Sequence, residues 1–91
     1  MINAIVLINT ERDKVNLVGE KLASIEGVSE VYSVSGRFDL VVILRLAETE
    51  NLSDLITDKM TKIDGITKTE SMIAFKTLSK HDLERMFGIG E

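Results

Sequence analysis

The chain predicts an α+β domain of βαββαβ order: a four-stranded antiparallel sheet with two helices on one face. Three observations carry this. Runs of strand character alternate with stretches whose apolar residues recur every three or four positions. Each helical stretch stops at a glycine, Gly27 or Gly65. The segment Ile25-Glu26-Gly27-Val28-Ser29-Glu30-Val31 also has a counterpart in Ile63-Asp64-Gly65-Ile66-Thr67-Lys68-Thr69, and each copy closes a helix and opens a strand. A doubled βαβ unit is the ferredoxin-like arrangement, and right-handed crossovers place both helices on the same side of the sheet.

Met1 to Ile8 reads as the first strand, apolar on nearly both faces. Thr10 and Asp13 form a near capping box, which starts a helix. Val15, Val18, Leu22 and Ile25 make its apolar stripe, and Gly27 ends it. Val28 to Val34 mixes β-branched and small polar residues, as a half-buried strand does. A tight turn at Gly36, free to take positive φ, leads into the apolar run Leu40 to Leu44. Ala47 to Asn51 is a polar connection. Leu52, Leu55, Ile56, Met60 and Ile63 form the second helical stripe, closed by Gly65. Ile66 to Phe75 alternates as the fourth strand, with Thr67, Thr69 and Ser71 on one face. Ser79-Lys80-His81-Asp82 opens a short C-terminal helix over Leu83, Met86 and Phe87, within a tail at residues 78–91. All of residues 1–91 fall in a single domain.

The first and third strands have no polar side. Ile5, Leu7, Val41 and Ile43 alternate with Ala4, Val6, Leu40, Val42 and Leu44. An antiparallel sheet facing water shows a polar face, so the face away from the helices requires a partner. A second copy is the simplest one, packed sheet to sheet in a two-fold dimer.

Composition excludes several function classes. The 91 residues contain no cysteine, which removes disulfides, thiol chemistry and cysteine-based zinc sites. The net charge of −4, with no basic run, argues against direct nucleic-acid binding. No stretch approaches a membrane span, and the N-terminus lacks a basic leader, so a cytoplasmic location is expected. The single histidine, His81, has no second His or Cys with which to build a metal site or a nucleophile–base pair. No catalytic residue, metal or cofactor is expected. The acids Glu48, Glu50, Asp54 and Asp58 read as solvated surface. Gly36-Arg37-Phe38-Asp39 lacks the glycine density and lysine of a phosphate loop. It does place an ionisable Asp39 beside a very apolar run.

Val34-Ser35-Gly36-Arg37-Phe38-Asp39-Leu40-Val41-Val42 resembles the Val-x-Gly-x-x-Asp-hydrophobic signature of the effector-binding (RAM) domain of Lrp/AsnC (leucine-responsive, feast/famine) transcriptional regulators. Ile63 to Ile73 is similar to that family's closing Gly-Val-x-x-Thr-x-Thr strand. The resemblance covers almost the whole chain. It implies an amino-acid-sensing and oligomerisation module that dimerises into an αβ barrel, with dimers joining into rings such as octamers. It implies amino acids bound between dimers, with Gly36 and Asp39 as the leading site residues, followed by Thr69 and Ser71. Arg37 and Thr67 complete the candidate set. Two features depart from the pattern. Full regulators carry a helix-turn-helix domain ahead of this one, whereas here Met1 opens the first strand. A stand-alone effector domain, acting alone or with an Lrp-type regulator, is therefore expected. Arg37 also stands where the family often has a small or acidic residue.

Two other functions fit the same scaffold. A dimeric αβ-barrel enzyme, like the small monooxygenases, would need general bases or nucleophiles that this composition scarcely supplies. An ACT-like regulatory domain shares the element order and binds amino acids, but its sheets meet side by side.

Overall fold

The structure, a computed structural model, describes residues 1–47 and 52–80. The expectations for His81, for a helix over Leu83, Met86 and Phe87, and for Glu48 and Glu50 lie outside these residues. Strands β1 (Ile2–Thr10), β2 (Val28–Ser33), β3 (Leu40–Leu46) and β4 (Ile66–Ile73) form one antiparallel sheet in the order β2-β3-β1-β4. Helix α1 (Val15–Ala23) follows β1. A short α2 (Leu52–Asp54) runs on into a π-helical turn, Leu55–Met60, ahead of β4. This is the expected βαββαβ architecture.

Both central strands are apolar on each side. Ala4, Val6 and Ile8 of β1, with Leu40, Val42, Leu44 and Leu46 of β3, are buried beneath Val18 and Leu22 of α1 and beneath Leu55 and Met60. Fully burying a side chain of this kind stabilises by about 1.5–3 kcal/mol relative to exposure. The opposite face carries Ile5, Leu7, Val41 and Ile43, none of them fully buried. Tyr32 opposite Val41, and Met72 opposite Ile5, widen that apolar surface toward both edges.

The first helix starts later than expected. Lys14 holds the N-cap position and makes no side-chain cap hydrogen bond. Thr10 is instead the last residue of β1. Its N–H donates to Asp39 Oδ2 at 2.9 Å and its hydroxyl donates to the Glu11 carbonyl at 3.0 Å. A carboxylate distant in sequence captures the N–H and so extends the strand. The second helix is also shorter than its apolar stripe. It ends at Met60, where the Thr61 N–H donates to the Ile56 carbonyl at 3.0 Å. The wider π turn points both Leu55 and Met60 into the core.

Gly27, Gly36 and Gly65 all have positive φ. At Gly27 (φ +99°) an added Cβ would stand 2.5 Å from Leu46 Cδ2, too close without a shift in the core. Gly27→Ala therefore combines left-handed strain with overpacking. It is expected to cost about 2 kcal/mol or more, read as a lower denaturation midpoint with an unchanged denaturant slope.

Candidate functional site

The connection between β2 and β3 spans residues 34–39, longer than the tight turn its sequence suggests. Gly36 sits at its tip with φ +123°, and an added Cβ would meet nothing within 4 Å. The glycine is needed for its backbone angle, and the space beside it is open. Arg37 is exposed, whereas Phe38 and Asp39 are half-buried.

Asp39 ties the loop to the sheet. Its N–H donates to the Ile8 carbonyl, and its carbonyl accepts from the Val34 N–H, both at 3.0 Å. With Oδ2 accepting from Thr10, three hydrogen bonds fix this residue at the end of β1. Among the described residues its Oδ1 has no hydrogen-bond partner. One oxygen of a rigidly held carboxylate thus remains available to a donor.

The neighbouring turn is locked by charge. The Glu11 N–H donates to the Gly65 carbonyl at 2.8 Å. Lys14 Nζ lies 3.0 Å from both Glu11 Oε2 and Asp64 Oδ2. The Glu11 and Asp64 carboxylates hold the Lys14 ammonium above its ordinary range. The Lys14 hydrogen bond holds the Asp64 carboxyl below its own. Because the Asp64 pKa is depressed, the pair's contribution is present above the ordinary carboxylate value and is lost as pH falls through the lowered one. The raised Lys14 pKa gives the converse, a contribution lost only under strongly alkaline conditions. Both groups face solvent, so the effect is small and screened by salt. Asp64→Asn is expected to flatten the fall in thermal midpoint below about pH 4 slightly, and the difference from wild type should shrink in high salt.

The hydroxyl residues of β4 are placed differently from the loop. The β1–β4 register shifts between Asn9 and Thr10, pairing Asn9 with Lys68 and Thr10 with Ile66. Thr67 falls in this bulge and has no partner across β1, so the expected row of three is broken at its start. Thr69 lies opposite Ile8 and Ser71 opposite Val6. Both therefore face the helix side, separated from the loop by β1. Among the described residues no hydrogen bond joins the loop to Thr67, Thr69 or Ser71. Gly36, Arg37 and Asp39 form one group, and the β4 hydroxyls form another.

Three residues outside the candidate set belong to this end of the sheet. Thr10 anchors Asp39. Lys68 Nζ lies 6.0 Å from the centroid of the Phe38 ring, at the outer limit of a cation–π contact. Phe38 had a visible signal, being an aromatic inside a polar loop. Lys68 had none, because its approach depends on the bulge. Among the described residues no group of acids and histidine could hold a metal ion, and no helix is long and apolar enough to cross a membrane.

The chain matches the profile of the Lrp/AsnC ligand binding domain over residues 3–83. The HTH-type transcriptional regulator LrpA of Pyrococcus horikoshii is 35% identical over 71 residues, which cover 78% of this chain and 50% of the relative. The chain spans about half the length of the curated relatives it matches, 42% of one and 50% of another. Among solved structures, TTHA0845 from Thermus thermophilus superimposes with a TM-score of 0.81 at 39% identity, covering 88% of this chain and 100% of that one. The feast or famine regulatory protein of M. tuberculosis, complexed with L-methionine, gives a TM-score of 0.68 at 27% identity, covering 88% and 54%. The family profile covers the sheet, both helical segments and the Asp39 loop, and the chain belongs to the Lrp/AsnC ligand-binding domain family.

Proposed function

We propose that these residues form a sensing and assembly module that takes an amino acid, or a similar small zwitterion, at the loop of residues 34–39. The observation that carries the reading is Asp39, held by three hydrogen bonds with one carboxylate oxygen still available. A rigid, partly desolvated carboxylate suits an ammonium group through a charge-assisted hydrogen bond. Backbone N–H groups at the unobstructed Gly36, or the Arg37 guanidinium, suit the carboxylate of the same ligand. The methionine complex of the M. tuberculosis relative supports this ligand class.

Within one chain the loop and the Thr69 and Ser71 hydroxyls lie apart, so a second copy is needed to bring both to one ligand. A copy from a neighbouring dimer supplies that second set of groups, and a regulator of the same family is the second kind of partner. The regulatory relatives favour a non-enzymatic role. Calorimetry with the twenty amino acids tests the reading. At least one is expected to bind, and Gly36→Val is expected to abolish binding by blocking approach to the backbone. A panel without a ligand, or a ligand indifferent to Gly36→Val, overturns it.

A further inference from the structure

Beyond β4 the chain carries its apolar side chains outward. Phe75 is fully exposed, Leu78 is 66% exposed and Ile73 is 61% exposed. The backbone beneath them is nevertheless fixed. The Ala74 N–H donates to the Asn3 carbonyl at 2.9 Å, and Asn3 Nδ2 donates to the Thr77 hydroxyl at 3.2 Å. Residues 74–80 therefore form an arm pinned beside the start of β1, with large apolar groups in water. Single exposed apolar residues are ordinary, but a held cluster of them marks a contact surface.

At the far edge of the sheet a groove of about 320 Å³ opens between α1 and β2. Val15, Gly19 and Ala23 of α1 and Val31 and Leu40 of the sheet line it, with Glu20 at its rim. Gly19 keeps the floor clear, since an added Cβ would stand 3.6 Å from Leu40 Cδ2. β2 is an edge strand, so its outer backbone groups have no ladder partner in the sheet. A groove of this size admits an aromatic side chain, and an unpaired edge admits an extended segment.

We propose that this groove takes the 74–80 arm of a second copy, with Phe75 as its anchor. The chain's own arm cannot fill it. The arm is tied to Asn3 on the β1–β4 side, and three strand spacings, roughly 14 Å, separate β4 from β2. Charge agrees with the pairing. The arm carries Lys76 and Lys80 and no acid, while Glu20 lines the groove. Arm and groove are different surfaces, so the contact is heterologous. It is made reciprocally in a two-fold pair or serially around a ring. The contact is independent of the ligand at residues 34–39 and stands or falls separately.

The absence of native cysteine allows a direct test. A chain carrying both Lys76→Cys and Ala23→Cys, with the Phe75 anchor intact, is oxidised mildly and run on a denaturing, non-reducing gel. Covalent dimers and higher multimers are expected, about tenfold more abundant than from a control carrying Lys76→Cys with Asp58→Cys, because docking raises the local thiol concentration. Asp58 is exposed and lies outside the groove. Protein remaining wholly monomeric, or an equal ladder from the control, overturns the proposal.

Discussion

Leu7→Glu is expected to leave particles near the chain mass of 10.1 kDa, while the wild type is expected to scatter light as a dimer or larger assembly. Leu7 stands on the open face of the central strand, flanked across β3 by Val41 and across β4 by Glu70. Its side chain points away from Val6 and Ile8, which belong to the helix-covered core. A carboxylate there is solvated in the monomer and desolvated in a sheet-to-sheet dimer. The penalty for burying an unpaired charge is several kcal/mol. Each 1.4 kcal/mol is a factor of ten, so the dimer dissociation constant should rise about a thousandfold or more. Far-ultraviolet circular dichroism should remain that of the wild type, because the helix side of the sheet is untouched. A wild type already monodisperse near the chain mass, or a Leu7→Glu variant of unchanged assembly, would show that the open face is not the assembly surface.

The second large effect concerns Asp39, where two roles must be separated. Asp39→Ala removes the candidate ammonium partner and also leaves the Thr10 N–H without its acceptor. Breaking a partly buried charge pair by deleting one member costs roughly 3–5 kcal/mol, which corresponds to a loss of about a hundredfold or more in ligand affinity. The orphaned N–H adds about 1–3 kcal/mol of destabilisation. Asp39→Asn keeps an oxygen for Thr10 and loses only the charge. It is expected to retain the wild-type denaturation midpoint closely while binding far more weakly. A ligand that binds wild type and Asp39→Asn equally well would assign Asp39 a purely structural place in the loop.

The elements legible in the sequence were those set by local chemistry. The apolar runs announced β1 and β3, and the alternation of Ile5, Leu7, Val41 and Ile43 announced a second apolar face. Gly27, Gly36 and Gly65 stood where the backbone needs positive φ. The departures all come from contacts between residues remote in sequence. Thr10 looks like a helix cap until Asp39 takes its N–H. Thr67, Thr69 and Ser71 look like one row until the bulge at Asn9 and Thr10 removes Thr67 from it. Nothing in the spacing reports that the surviving hydroxyls turn toward the helices while Lys68 turns toward Phe38. For the candidate site, the loop could be read and its relation to β4 could not, since that relation is fixed by register.

The strand order also dictates a sequence of events. β1 is made before the other three strands, yet it lies inside the finished sheet, and neither neighbour is close in the chain. Ala4 must wait for Leu44 on one side and for Ile73 on the other. Pairings of such long range are closed at a high entropic cost and slow the search for the native state. During synthesis, Ile2 to Ile8 therefore has no strand to pair with until β3 emerges, and keeps one bare edge until β4 does. Any agent that shields a short, very apolar strand during that interval has its target at the N-terminal end of this domain.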